Sequence, residues 1–162
     1  MSIEHKLPTG VFLVSKTDTR GTITYANPAF IEVSGYTEDE LLGQPHNKVR
    51  HPDMPKTVFH MLWKHLQAGE EFWGFVKNRS KDGGYYWVYA HVTPTFSTDD
   101  GSIIGYHSDR RPATPAKLAI IEPIYQTLLQ AEAQGGIDAG EKALNTLLKE
   151  KGMSYEEFIF SL

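Results

Sequence analysis

The run Gly43-Gln44-Pro45-His46-Asn47-Lys48-Val49-Arg50-His51-Pro52-Asp53-Met54-Pro55 constrains this chain more than any other stretch. Each of its three prolines removes a backbone donor and pushes the preceding residue towards extended geometry. A long helix is therefore excluded, and one short helical turn with stiff corners is what remains. Two histidines, an arginine, an asparagine and an aspartate are displayed on that frame. Polar side chains on a stiff loop suit gripping a ligand better than filling a core.

The segments on either side of the run set its context. Val11–Val14 and Thr22–Ala26 read as two strands joined by a turn at Asp18–Gly21. Asn27-Pro28 ends the second strand, and a helical turn follows through Ser34. Thr37 with Glu40 forms a capping box. Beyond the proline run, Val58, Met61, Leu62 and Leu66 define a helix over Lys56–Ala68 that Gly69 closes. Three strands follow: Phe72–Arg79, Tyr85–Thr93 stopped by Pro94, and Ile103–Arg110. Lys81-Asp82-Gly83-Gly84 and Asp99–Ser102 are the turns between them. Thr114-Pro115 opens a helical tail that Pro123 should kink and Gly135-Gly136 should break. Ser154 with Glu157 caps a last short helix. The order implies an α+β layer, a five-stranded antiparallel sheet with short helices on one face and a C-terminal helical extension. The space between that face and those helices is the default ligand site.

Composition narrows the chemistry. The chain has 162 residues and no cysteine, which excludes disulfides, thiolate metal sites, cysteine catalysis and any cysteinyl cofactor adduct. A formal charge of −4 argues against nucleic acid, which needs a basic face. No apolar run approaches the roughly 20 residues of a membrane span, and no signal peptide is visible. A cytoplasmic protein without membrane insertion is expected. No metal site is expected either, because His46, His51 and Asp53 lack the spacing of known two-histidine sites.

Tyr25-Ala26-Asn27-Pro28-Ala29-Phe30, Ser34-Gly35-Tyr36, Glu40-Leu41-Leu42-Gly43 and Lys81-Asp82-Gly83 ahead of Trp87-Val88 resemble the PAS sensor family over residues 9–112, leaving 113–162 as the extension. More narrowly, Gly43–Asn47, Val49–Pro55 and Val76-Lys77-Asn78-Arg79 are similar to the FAD-binding PAS domain of bacterial aerotaxis receptors. The resemblance implies a non-covalent FAD whose redox state is the signal, no enzyme activity, output to a downstream signalling protein, and a homodimer. Spacing alone does not separate FAD from FMN.

The resemblance also carries site residues. His46 falls where light-oxygen-voltage (LOV) relatives place their adduct-forming cysteine; an imidazole makes no such adduct. A pKa near neutrality would let its charge follow flavin reduction. Asn47 and Arg50 align with positions facing the ribityl and phosphate portion, where an arginine fork suits a diphosphate. His51 and Asp53 would steady that arginine. Asn78 aligns with an asparagine that reads the polar ring edge. Val88 and Ala90 align with the ligand-facing side of their strand, and His107 stands at the place of a flavin-sensing glutamine. Asn27 completes the cofactor-binding set. The opposite face of the Tyr85–Thr93 strand, with Tyr85, Trp87, Tyr89 and His91, needs cover from the tail or a second chain. Two alternatives stay open: a haem-binding gas sensor using one of the seven histidines, and a ligand-free dimerisation module.

Overall fold

The computed structural model describes residues 2–162. Five strands form one antiparallel sheet, β1 (Leu13–Thr17), β2 (Ile23–Ala26), β3 (Phe72–Arg79), β4 (Tyr85–Phe96) and β5 (Ile103–Pro112), in the order β2-β1-β5-β4-β3. The first and last strands in sequence thus meet at its centre. Helices α1 (Pro28–Ser34) and α2 (Glu38–Leu41) lie between β2 and the proline run, and α3 (Lys56–Gln67) follows it. The helix α4 (Pro115–Lys151) and α5 (Tyr155–Phe160) complete the chain.

Local chemistry explains most boundaries. Asn27 accepts from the Phe30 amide and caps α1, with Pro28 in its first turn and Gly35 in the left-handed region at its end. Capping boxes are present at Thr37 with Glu40 and at Ser154 with Glu157, whereas Asp138, expected with Glu141 to cap a separate helix after the glycine break, lies within the span of α4. Some boundaries differ from expectation, and the first strand is Leu13–Thr17 rather than Val11–Val14. β4 runs through Pro94 to Phe96 instead of stopping before the proline. The reason lies in its neighbours: β3 begins at Phe72, opposite Val92, so beyond that point β4 is paired only with β5. A missing N–H is tolerated where one side of a strand is open.

The chain divides into two compact units. One contains the residues up to His51 together with His65–Ala113, and the other contains Pro52–Lys64 and Thr114–Leu162. In the first, alternation along the strands gives two chemically distinct faces. Leu13 and Ser15, Tyr86, Val88 and Ala90, and Arg110 are buried on the inner face, where Phe30 of α1 is also buried. The outer face carries Trp73, Phe75, Tyr89 and His91, with the Trp73 and His91 rings stacked at 3.8 Å and Phe75 and Tyr89 at 4.7 Å. In the second unit, the backbone of α4 leaves helical geometry at Gly135 and Gly136 and not at Pro123. Glycine supplies the positive φ of 71° at position 136 that other residues adopt only under strain.

Candidate functional site

The proline run is tied to both edges of the sheet. At its start it pairs with β2: Gly43 and Ile23 exchange backbone bonds with Ile23 and Gln44, and the His46 N–H donates to the Gly21 carbonyl at 2.9 Å. His46–Val49 then forms one 3₁₀ turn, the single helical turn that three prolines allow. At its other end Arg50 bridges Asn78 of β3, and the His51 N–H donates to the Lys77 carbonyl at 3.3 Å. Because β2 and β3 are opposite edges, residues 43–51 connect one side of the sheet to the other.

His46 and Arg110 meet inside that span. Ser15 Oγ lies 2.8 Å from His46 Nε2 and accepts from Arg110 Nη2 at 3.0 Å, while Arg110 Nη1 reaches His46 Nε2 at 3.3 Å. A guanidinium only donates, so Nε2 is the acceptor and the proton of the neutral imidazole sits on Nδ1. Phe30 forms the floor: its ring lies parallel to His46 at 5.7 Å and 4.3 Å from the Arg110 guanidinium carbon, a cation–π contact.

The charge state of this cluster follows from its surroundings. His46 retains some accessible surface, yet its ring is enclosed by Ser15, Arg110 and the parallel ring of Phe30. Burial, then Arg110, then Arg50 hold its pKa down at about 3. It is therefore neutral throughout the physiological range, which corrects the expectation of a histidine titrating near neutrality. Arg110 is 2% exposed, and burial lowers it only to about 10, so it stays charged. Among the described residues no carboxylate forms a salt bridge with it; Asp109, its chain neighbour, belongs to the outer face. Its Nε has no hydrogen-bond partner. Neither has the buried Tyr86 hydroxyl, which Asn78, its cross-strand neighbour, approaches without closing a bond of good geometry. Burial pushes that phenol up to about 12.

The predicted residues fall into two groups. His46, Arg50, Asn78, Val88 and Ala90 converge on the inner-face site, with Asn78 3% exposed and Val88 fully buried. The others do not join it. His107 pairs with Lys16 and Thr93 and so stands on the outer face, one residue out of phase with Ser108 and Arg110. Asn27 spends its amide on structure: its oxygen accepts from the Val14 and Phe30 amides at 3.0 and 3.1 Å, and its nitrogen donates to the Phe12 carbonyl at 3.0 Å. Asn47 is exposed on the 3₁₀ turn, and His51 presents its ring at 6.1 Å to Tyr85, which faces away from Tyr86. Ser15, Phe30, Tyr86 and Arg110 also belong to the site. Alternation along β4, which puts Tyr86 on the face of Val88 and Ala90, was the available clue for Tyr86, whereas nothing local marked Ser15 or Arg110.

A concavity of about 570 Å³ lies away from this cluster, among the N-terminal segment, α1 and the β3–β4 turn. Lys6, Glu32, Lys81 and Asp82 mix signs along its walls, and it contains none of the predicted residues.

Comparison with known proteins follows the same lines. A family model described as the PAS fold matches residues 23–108. Over 116 residues the chain is 51% identical to the aerotaxis receptor of Escherichia coli (strain K12), covering 72% of this chain and 22% of that protein. Over 84 residues it is 34% identical to the nitrogen fixation regulatory protein of Klebsiella pneumoniae, covering 52% of this chain and 17% of that protein. The chain thus spans less than a quarter of the length of either relative. Among solved structures, a light-oxygen-voltage domain studied with a flavin analogue superposes with a TM-score of 0.62 at 19% identity, over 71% of this chain and 87% of that one. The dark-state light-oxygen-voltage domain of the blue-light photoreceptor aureochrome1 gives 0.61 at 22% identity, over 68% and 83%.

Proposed function

Since the chain belongs to the PAS family, we propose that its inner-face site holds a non-covalent flavin, FAD by resemblance to aerotaxis receptors, and that the redox state of this flavin is the signal. The observation that carries the reading is Arg110: a guanidinium 2% exposed, with no salt-bridge partner among the described residues, Asp109 acting on it only from the opposite face of the sheet, and its Nε unbonded. A buried unbalanced charge costs several kcal/mol unless something compensates it. An electron-accepting, negatively polarised ring edge is such a partner.

The other residues fit the same group. Phe30, Val88 and Ala90 supply apolar and aromatic surface for a flat ring. The Asn78 amide offers donor and acceptor to a pyrimidine edge, and the Tyr86 hydroxyl has bonding capacity to spare. Arg50, on the segment that crosses between the sheet edges, is the candidate for the diphosphate. A bound flavin supplies reversible electron uptake. What the chain supplies is a cation fixed by Ser15 and His46 where negative charge would accumulate, in surroundings dry enough to strengthen the attraction. With no cysteine in the chain, a cysteinyl adduct with the cofactor cannot form.

In this reading the protein is a sensor module without turnover, passing its state to a downstream signalling partner as a cytoplasmic homodimer. The haem alternative has less support, because the histidine enclosed in the cluster commits Nε2 to Ser15 and Arg110. The visible spectrum of the purified protein separates the two: twin flavin bands support the proposal, and a single intense Soret band contradicts it. Digesting the released cofactor with phosphodiesterase then distinguishes FAD from FMN.

A further inference from the structure

The 37 residues of α4 are helical except at Gly135 and Gly136. Gly136 takes φ 71° and ψ −160°, a conformation open to glycine and costly for any residue with a Cβ. A methyl group added at Gly135 would come 2.8 Å from the Ala139 Cβ, too close for two carbons. The bend thus depends on both glycines, and helical geometry at these two positions alone would make α4 straight. Within the second compact unit, the bend lets the second arm of α4 close on the Lys56–Lys64 part of α3. The seat for that arm is built without it. Glu132, on the first arm, accepts from the Lys56 N–H at 3.1 Å, the Thr57 N–H at 2.9 Å and the Thr57 hydroxyl at 2.6 Å, supplying acceptors that Pro55 cannot. Thr57 is fully buried, and a Cβ added at Gly140 of the second arm would lie 3.3 Å from the Thr57 Cβ. His60 and Glu141, 3.0 Å apart and partly exposed, add a weaker fastening.

We propose that two copies of the chain pair by exchanging residues 137–162: Gly135 and Gly136 become helical, α4 straightens, and the second arm and α5 of each copy close on Thr57 of the other. The proposal rests on the homodimer of the reading above and not on its flavin. A second copy is the fitting occupant because the straightened arm carries away Leu144, Leu148, Phe158 and Ile159, all buried in the bent form, and leaves its own Thr57 seat open. The surface complementary to both is the same pair of surfaces on another copy. The exchange is two-fold and closed, so assembly stops at two chains with no apolar face left over. Every contact of the bent form is remade between chains. What differs is a straight helix gained in each copy against the freedom lost on association, so the glycine pair and the protein concentration set the balance.

Engineered disulfides test the exchange cleanly, because the chain has no cysteine of its own. Full-length Thr57→Cys chains and mass-tagged Gly140→Cys chains are mixed, incubated and oxidised; the seat brings these positions within disulfide range. Exchange yields a disulfide between one tagged and one untagged chain, joining positions 57 and 140. In the protein without added cysteines, Gly136→Ala removes the residue the bend needs and favours the straight helix, lowering the dimer dissociation constant about tenfold or more by light scattering. Spin labels at the exposed positions 122 and 150 give a readout that leaves the seat untouched: the straight helix holds them about 42 Å apart, and the bent one brings them nearer. A dimer with no mixed disulfide and a bent α4 overturns the exchange and leaves the homodimer standing. A protein that stays monomeric at every concentration, Gly136→Ala included, overturns both. The flavin reading is tested apart from these, by the visible spectrum.

Discussion

Asp109 and Arg110 are neighbours in sequence and opposites in setting. Asp109 lies on the outer face of the sheet, where it stands 3.4 Å from His91 Nδ1 and 3.9 Å from Arg111 Nη2. The other nitrogen of His91 meets Glu71 at 3.0 Å, and this pairing, with a bond from the Trp73 indole, holds the Glu71 carboxyl below its usual range. Charges there are balanced by other charges and partly wet. Arg110, one residue on, is buried with a serine, a neutral histidine and a phenyl ring for company. Folding alone explains the outer cluster. It does not explain the inner one, which is stocked with a cation and a phenol whose full bonding capacity no protein group uses. The same strand thus carries a charge paired with other charges on one face and a buried charge without a salt-bridge partner on the other.

The sharpest way to break this contrast is acid. The folded-state pKa of His46 is depressed from 6.5 to about 3. Between those values the unfolded chain binds a proton that the folded protein refuses. The contribution is therefore complete above pH 6.5 and is lost as pH falls towards 3, at up to about 1.4 kcal/mol per pH unit. Comparing denaturant midpoints of wild type and His46→Gln across that window isolates the effect; parallel curves would show that His46 is not held neutral by the inner cluster.

A smaller effect is expected from Ser15→Ala, which takes an acceptor from Arg110 Nη2 and a partner from His46 Nε2. Leaving buried polar groups unsatisfied costs about 1–3 kcal/mol, readable by urea unfolding. Smallest is Asp109→Asn on the outer face. Loss of exposed or half-exposed ion pairs costs under about 1 kcal/mol, and flavin affinity should not change. A large loss of flavin from Asp109→Asn would show that the two faces are not independent.

How much of this was legible in the sequence depended on the range over which each feature is determined. β4 alternates cleanly, which groups Val88 and Ala90 on one face, and the resemblance to flavin-binding relatives implied that this face is the inner one, where they lie. Capping boxes and glycine breaks are local and were readable for that reason. β5 was ambiguous. Its two parities read Tyr106, Ser108, Arg110 and His107, Asp109, Arg111, so polarity could not choose the buried set, and a shift of one residue exchanged His107 for the true inner residues. Ser15 and Arg110 are 95 positions apart, and only the central pairing of β1 with β5 brings them together. Asn27 shows the reverse case. Asn-Pro ahead of an apolar helical turn is a local cap signal, and the structure uses it as one rather than as a cofactor ligand.

The central claim is that Arg110 is kept for a flavin and not for the fold. Urea unfolding of wild type and Arg110→Met, each with and without excess FAD, tests it most directly. FAD should stabilise the wild type, whereas the variant should be more stable without FAD, by about 1 kcal/mol or more as expected for replacing a buried unbalanced charge with an apolar chain, and should gain little when FAD is added. A variant that is less stable than wild type without FAD, yet gains as much from it, would contradict the account.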